Sequence, residues 1–339
     1  MRRIKIGIVG CGYWGPNVIR NFSEVSEADV VACCDLKKER LKYIKQRFPY
    51  VDTYTDYCYI LGRKDIDAVS ICTPVSSHFA LAKDALLAHK HVLVEKPITY
   101  RCQEAEELIE LSGKNKCILM AGHTFEYSGA VNKMKEIIHK GELGDVLYFD
   151  SARANLGIFH RDVNVVWDLA SHDISIILYI LGKLPKSVVA IGKSYVNKGI
   201  EDVAYINLFF PNNIIAHIHV SWLAPVKLRK MVVAGTKKMI IYDDVENIEK
   251  VKVFDKGVDF RKDNGPQGIL ERQLFYRSGD IIVPQLDTTE PLKNECMHFV
   301  SSIRKGKSPV SDGVSGLRVV KILEAINRSM NNGAGLEYI

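Results

Sequence analysis

The sequence predicts a doubly wound α/β domain followed by an α+β domain built on a large open, mainly antiparallel sheet. Residues 1–122 alternate short apolar runs, rich in Val and Ile, with amphipathic helical patterns, as a parallel sheet covered on both faces requires. Gly10-Cys11-Gly12-Tyr13-Trp14-Gly15 stands where the first apolar run passes into the first helix. Beyond Pro185, apolar runs follow one another without intervening helices, which is the mark of antiparallel sheet.

In the first domain the strand-like runs are Ile4–Val9, Val30–Asp35, Ala68–Thr73, Val92–Glu95 and Cys117–Ala121. Helical patterns lie between them at 15–24, 37–47, 78–89 and 102–113. Ala80, Leu81, Ala85 and Leu86 have the spacing of one helical face, and Leu108, Ile109 and Leu111 recur among acids. Strand, helix, strand in repetition implies right-handed crossovers. The second domain, 123–339, opens with a helix near 129–140 and a strand near 145–155. A helix over 168–181 stops at Gly182. Strands are expected at 187–196, 203–210, 214–222, 229–235 and 238–242, with one-faced alternation clearest in Ala204–Leu208 and Ile214–Val220. Residues 255–287 carry little pattern, and Asp263-Asn264-Gly265-Pro266 reads as a loop. Two helices close the chain, Pro291–Lys305, ended by Gly306, and Ser315–Met330.

The whole-chain properties exclude several functions. A length of 339 residues fits two domains, at roughly 100–200 residues each. The 46 Lys and Arg exceed the 40 Asp and Glu by only six, and they sit beside acids, as in Asp35-Leu36-Lys37-Lys38-Glu39-Arg40. Such residues form solvated helix faces rather than the continuous basic stripe of a nucleic-acid binder, so no nucleic acid is expected. The eight cysteines form no CxxC pair and no His cluster has zinc spacing, so reduced thiols in a cytoplasmic protein, with no metal, are expected. Arg2-Arg3 ahead of Ile4 to Cys11 imitates a secretory leader, but Lys5 interrupts the run and it is too short, so it reads as the first strand. No stretch approaches the roughly 20 apolar residues of a membrane span.

The glycine motif follows a strand and opens a helix, the context in which it binds a dinucleotide. Gly10 permits the tight turn, Gly12 lets the backbone approach a pyrophosphate, and Gly15 allows close helix–strand packing. The helix N-terminus then offers N–H groups and a positive dipole end. Asp35 ends the second strand, twenty residues beyond Gly15. A carboxylate there accepts from ribose hydroxyls and repels a 2′-phosphate, which favours NAD over NADP; Lys37, Lys38 and Arg40 soften that preference.

Ligands of such sheets bind beyond the carboxyl ends of the strands. Thr73-Pro74, with His78, and Glu95-Lys96-Pro97 stand at two of those ends. Pro97 holds Lys96 extended, which aims the ammonium into the cleft, where it can hold a hydroxyl and stabilise an alkoxide. The alternative is a surface lysine in a strand–helix loop. Asp168-x-x-x-His172 has the spacing of one helix face, so the carboxylate can orient an imidazole suited to general acid–base work. The alternative is a helix-capping Asp168 and a half-buried histidine.

Together these residues resemble the Gfo/Idh/MocA family of oxidoreductases. The resemblance covers the whole chain and rests on Val9–Gly15, Thr73-Pro74-x-x-x-His78, Val94-Glu95-Lys96-Pro97, Asp168-Leu169-Ala170-Ser171-His172-Asp173 and a terminal stretch from Phe299 through Gly306-Lys307-x-Pro309 and Asp312-Gly313 to Gly316-Leu317. It implies a Rossmann domain, NAD as cofactor, and an open sheet that pairs with another subunit into a homo-oligomer. It implies cofactor contacts from Tyr13, Trp14, Thr73, Pro74, His78 and Glu95, substrate positioning by Lys96, and a proton relay through Asp168 and His172, with Asp173 capping the helix. Gly12-Tyr13-Trp14-Gly15-Pro16-Asn17 and Asn155-Leu156-Gly157-x-Phe159 are similar to members that oxidise nucleotide-linked sugars at C3, UDP-N-acetylglucosamine 3-dehydrogenases among them. Arg153, Asn155, His160 and Arg161 are then expected at sugar or diphosphate oxygens, and His123 at the pocket wall. A dehydrogenase of free sugars or inositol, and a non-catalytic NAD-sensing regulator, are the other readings that the resemblance leaves open.

Overall fold

The computed structural model describes residues 2–157, 159–264 and 270–339, with side chains described outside 259–273. Two compact units form, one from residues up to 128 together with 288–324, the other from 129–287 together with 325–339. The single boundary expected near residue 122 therefore becomes several crossings of the chain, because residues 288–324 return to the nucleotide-type unit.

The first unit runs β1 (Ile4–Val9), α1 (Gly15–Ser23), β2 (Ala28–Cys34), α2 (Lys38–Arg47), β3 (Asp52–Tyr54), α3 (Cys58–Gly62), β4 (Ala68–Ile71), α4 (His78–Leu87), β5 (His91–Glu95), α5 (Cys102–Lys114) and β6 (Leu119–Gly122). Its six strands order 3-2-1-4-5-6 and pair in parallel. The order reverses between β1 and β4, so the crevice of a doubly wound sheet opens there. β3 and α3 were not anticipated, being too short to show a period. The buried face of α4 is His78, Ala82, Ala85 and Leu86, while Ala80 is exposed. The later helix α8 (Pro291–Lys305) sends Leu292, Cys296, Phe299 and Val300 into the same core as Ile6, Val18 and Phe22. The Phe22 and Phe299 rings meet at 6.2 Å, edge to face. Full burial of each such side chain contributes roughly 1.5–3 kcal/mol. Arg20 donates to Glu290 at 2.7 Å and Lys293 to Glu24 at 3.0 Å, which stitches the surface of α1 to the returning segment.

The second unit holds α6 (Gly129–His139), β7 (Val146–Ala154), α7 (Ser171–Leu181), β8 (Ser187–Lys193), β9 (Val203–Phe209), β10 (Ile215–Ser221), β11 (Leu228–Gly235), β12 (Met239–Asp243), β13 (Val251–Asn264), β14 (Leu270–Ile282) and β15 (Glu337–Tyr338); α9 (Gly313–Asn331) passes from the first unit into the second. Nine strands order 14-13-12-11-7-10-9-8-15, all antiparallel except the β7–β10 pair. Ala204, Ile206, Leu208, Ala216, Ile218 and Val220 are buried on one face. On the other face two cross-strand pairs are exposed, Ile191 with Tyr205 and Ile215 with Tyr148. The stretch expected to lack structure contains most of β13 and β14. Charges scattered through both strands hid their period; of the loop expected at Asp263-Asn264-Gly265-Pro266, Asp263 and Asn264 end β13, and Gly265 and Pro266 lie outside the described residues. Among the described residues, no helix is long and apolar enough to cross a membrane.

Candidate functional site

The glycine loop is built as its motif requires. Gly10 lies at φ +91°, and a Cβ there would come within 2.7 Å of the Cys72 carbonyl oxygen. A Cβ on Gly15 would collide with the Gly10 carbonyl. At Gly12 an added Cβ would meet only the Arg40 guanidinium, at 3.5 Å, so the backbone is open to an approaching phosphate. Pro16 sits in the first turn of α1, whose N-terminus faces this loop. Tyr13 is 87% exposed and stacks on the half-buried Trp14. Asp35 is buried just past β2. Its Oδ2 accepts from the Cys11 N–H at 2.8 Å and from Arg40 Nη1 at 3.2 Å, and its Oδ1 from the Lys37 N–H at 2.8 Å. The carboxylate is thereby held beside the open loop. These residues fit a dinucleotide, the backbone at Gly12 and the α1 terminus holding the pyrophosphate and Asp35 the adenosine ribose.

The carboxyl ends of β4, β5 and β6 gather a second group. Thr73 accepts from the Ser77 hydroxyl at 2.8 Å, and the exposed Pro74 precedes a short turn. His78 is only 1% exposed, with Nδ1 2.9 Å from the Pro97 carbonyl and Nε2 2.8 Å from the Thr73 carbonyl. It ties the ends of β4 and β5 together, which corrects its assignment as a cofactor contact. Burial lowers its pKa, although the two carbonyls favour the charged ring. Lys96, half-buried, precedes a cis Pro97. Burial pushes the Glu95 carboxyl up to about 7, against the Lys96 ammonium, which favours its charge. His123, just past β6, is 1% exposed, and among the described residues neither ring nitrogen has a hydrogen-bond partner. Burial first and Lys96 second push it down to about 4, so it is neutral near pH 7. Sequence reading missed Glu295 on α8: it is 1% exposed, and its Oε2 accepts from the Thr124 hydroxyl at 2.8 Å. No local signal marks a lone glutamate 171 residues from the threonine that it binds.

In the second unit, Val166–Ala170 form a single π turn that runs into α7. Such turns recur at functional sites. Asp168 lies in the π turn and His172 in the first α-helical turn, so their spacing is not that of one regular helix. Trp222, just past β10 and 1% exposed, donates its indole N–H to Asp168 Oδ2 at 3.0 Å. His160 Nε2 stands 3.9 Å from the same oxygen, and the His160 and Phe159 rings each lie 5.7 Å from the Trp222 ring. Asn155 and Gly157 donate backbone N–H groups to the carbonyls of Ser221 and Trp222. A Cβ on Gly157 would press within 2.7 Å of the indole, so Gly157 is what lets this strand pass. Trp222 was overlooked because its ring belongs to an ordinary apolar strand end.

Arg153 departs from expectation. It is 3% exposed, and its Nε and Nη2 donate to Asp173 at 2.9 and 3.2 Å, with the Ser151 hydroxyl donating to the same carboxylate at 2.9 Å. Both charges are committed to each other, so Arg153 is withdrawn from the sugar or diphosphate contacts and Asp173 is an ion-pair partner rather than only a cap. Arg161 is exposed and Asn155 half-buried. Among the described residues, no group of three or more His, Cys, Asp or Glu could hold a metal ion.

Comparison with known proteins bears on both units. Residues 4–123 match the family model described as oxidoreductase family, NAD-binding Rossmann fold, and residues 131–241 match the GFO/IDH/MocA C-terminal domain. Myo-inositol 2-dehydrogenase of Thermotoga maritima is 24% identical over 341 residues, 96% of either chain. UDP-N-acetylglucosamine 3-dehydrogenase of Acidithiobacillus ferrooxidans is 24% identical over 326 residues, 94% of this chain and 95% of that one. A solved structure of the latter enzyme superposes with a TM-score of 0.81 at 22% identity, covering 99% of this chain and all of that one, a likeness that shows the fold.

Proposed function

Because the chain belongs to the Gfo/Idh/MocA family of oxidoreductases and its first unit is an NAD-binding Rossmann fold, we propose that it moves hydride between nicotinamide and C3 of a nucleotide-linked sugar, a UDP-N-acetylglucosamine or related UDP-aminosugar. Bound NAD supplies the two-electron acceptor. The protein supplies the rest: Gly10, Gly12 and Gly15 shape the phosphate loop, Tyr13 and Trp14 wall it, Asp35 holds a ribose, and Thr73, Pro74 and Glu95 border the other half of the cofactor. Lys96 holds the reacting hydroxyl and stabilises the oxyanion as it forms. His172 takes the hydroxyl proton, and Asp168, itself held by Trp222, stabilises the charged ring. The neutral His123, Asn155 and His160 offer further hydrogen bonds to the sugar, with Arg161 for a diphosphate. Such chemistry belongs to the cytoplasm.

The observation that carries this reading is the buried His123, its two ring nitrogens without a partner among the described residues, just past β6 and beside the β5 end that carries Lys96, where this fold binds ligands. A buried polar group without a partner costs roughly 1–3 kcal/mol, so a ligand hydroxyl is its natural complement. The UDP-sugar assignment draws on the full-length likeness to a UDP-N-acetylglucosamine 3-dehydrogenase. A free polyol, such as inositol, is the second reading; it is favoured by the equally long likeness to a myo-inositol 2-dehydrogenase and by the withdrawal of Arg153 from any diphosphate.

The test follows NADH absorbance with purified protein, NAD, and a panel of UDP-sugars and free polyols. Turnover of UDP-N-acetylglucosamine, lost by roughly a hundredfold or more in Lys96→Ala, is the expected outcome. Turnover of inositol alone transfers the assignment to the second reading. NAD binding without turnover on any member of the panel returns the protein to the class of cofactor-sensing regulators.

A further inference from the structure

We propose that Trp222 is a positioning residue for proton transfer: its indole N–H holds the Asp168 carboxylate ionised and oriented, and through that carboxylate it sets how tightly His172 keeps a proton. The proposal rests on the reading of Asp168 and His172 as the proton relay, and not on the identity of the sugar.

The contact is short and shielded. Trp222 is 1% exposed, and its indole N–H donates to Asp168 Oδ2 at 3.0 Å. A buried indole N–H needs an acceptor, and here the acceptor is the relay's carboxylate, which makes the bond charge-assisted. Both ends of the contact hang from two consecutive residues at the entry to β9. The Asp202 carbonyl accepts from the Trp222 backbone N–H at 2.8 Å. The Glu201 carbonyl accepts from the Val165 N–H at 2.9 Å, and the Glu201 carboxylate from the Asn164 side-chain amide at 2.8 Å. Asn164 in turn fixes the π turn: its side-chain oxygen accepts from the Trp167 N–H at 3.2 Å, and its carbonyl from the Asp168 N–H at 3.2 Å. Gly192 makes room for this anchor, since a Cβ there would come within 2.7 Å of Glu201 Cγ. The indole itself is held by the Phe159 ring, edge to face, and by the close passage of Gly157. Rigid support of this kind keeps a proton-transfer group in its productive geometry.

The role follows from where the charge goes. When His172 takes the hydroxyl proton its ring becomes a cation, and Asp168 stabilises that cation only while it stays an anion. The indole N–H favours the ionised carboxylate and opposes its protonation. It also offsets part of the negative charge, so the imidazolium gives its proton back in the reverse step. The other titratable and charged groups on the surrounding elements are His160, Arg161 and Asp162 after β7, Glu201 and Asp202 at the entry to β9, and Asp173 on α7. Asp173 is bound by Arg153, Glu201 by Asn164, and Asp202 by the N–H groups of Tyr195 and Val196, both at 2.8 Å. Arg161 and Asp162 are exposed. His160 Nε2 stands 3.9 Å from Oδ2, so a protonated His160 competes for the oxygen that the indole holds. Without the indole N–H, Asp168 is a stronger anion, and His172 keeps its proton to higher pH.

Trp222→Phe keeps an aromatic ring in the same space and deletes the N–H. The full protein carries three tryptophans, so its 15N-labelled spectrum has three indole N–H resonances, and this variant identifies that of Trp222. Without substrate or cofactor, the Trp222 resonance should lie downfield and move upfield in Asp168→Asn. In turnover, Trp222→Phe should lower kcat by about tenfold or more, leave the KM for NAD unchanged and displace the acid limb of the kcat/KM profile to higher pH. An indole resonance indifferent to Asp168→Asn, or a rate loss equal at every pH, overturns the proposal. Should Trp222→Phe fail to fold, the response of the wild-type indole resonances to Asp168→Asn decides. Turnover without displacement of the acid limb overturns only the role of Trp222, whereas absence of turnover on every sugar and polyol overturns the relay reading as well.

Discussion

Removing either charge of the Arg153–Asp173 pair strands the other in the interior. Both side chains are 3% exposed, so Asp173→Asn should cost about 3–5 kcal/mol, read as a lowered urea midpoint. Replacing both residues together by Met and Leu should recover most of that loss, because an apolar pair of similar volume needs no counter-charge. A single-variant loss within experimental error would show that the pair is not a buried lock. This residue also marks the limit of sequence reading. An arginine in a polar stretch just ahead of a catalytic-type helix looks like a ligand contact, and only the fold shows that Asp173, twenty residues on, already holds it. Asp35 and the three glycines were legible because backbone geometry at a strand–helix turn allows few alternatives. Asp168 was legible through its spacing to His172, but the Trp222 N–H that orients it came from a strand end with no distinguishing pattern.

Among whole elements, helices with a stop signal were the easiest to place. Gly182 ends α7 at φ +64°, and a Cβ there would have nothing within 4 Å. Gly182→Ala should therefore cost about 1 kcal/mol from backbone strain alone, measurable as a small shift in the denaturant midpoint with activity intact. A neutral or stabilising substitution would mean that the left-handed cap is not kept in solution. Gly306 ends α8 in the same way, at φ +59°, and that boundary too was visible in the sequence. Strands β13 and β14 were not. Among the described side chains of this extension beyond β12, none past Val253 is buried, so no buried face imposes alternation there. For α8 the element was foreseen but its destination was not, since amphipathicity tells that a face is buried and not against what.

Across the molecule, the nine-stranded sheet presents Ile191, Tyr205, Ile215 and Tyr148 on its open face, each at least 42% exposed. Exposed apolar cross-strand pairs on a broad sheet offer a surface for association. Sedimentation should find an oligomer, and Ile191→Asp with Tyr205→Glu should convert it to a smaller species without loss of NAD binding. A wild type that sediments as a monomer would show that this face is simply solvated. The shared construction of the first unit has its own consequence. Its core takes Leu292, Cys296, Phe299 and Val300 from α8, while its sheet ends at Gly122. On the ribosome, the six strands and their glycine loop are translated long before the helix that covers α1 and carries Glu295. For the whole synthesis of the intervening sheet, the nascent nucleotide fold waits with an apolar flank bare, until the segment that begins at Thr288 emerges to seal it.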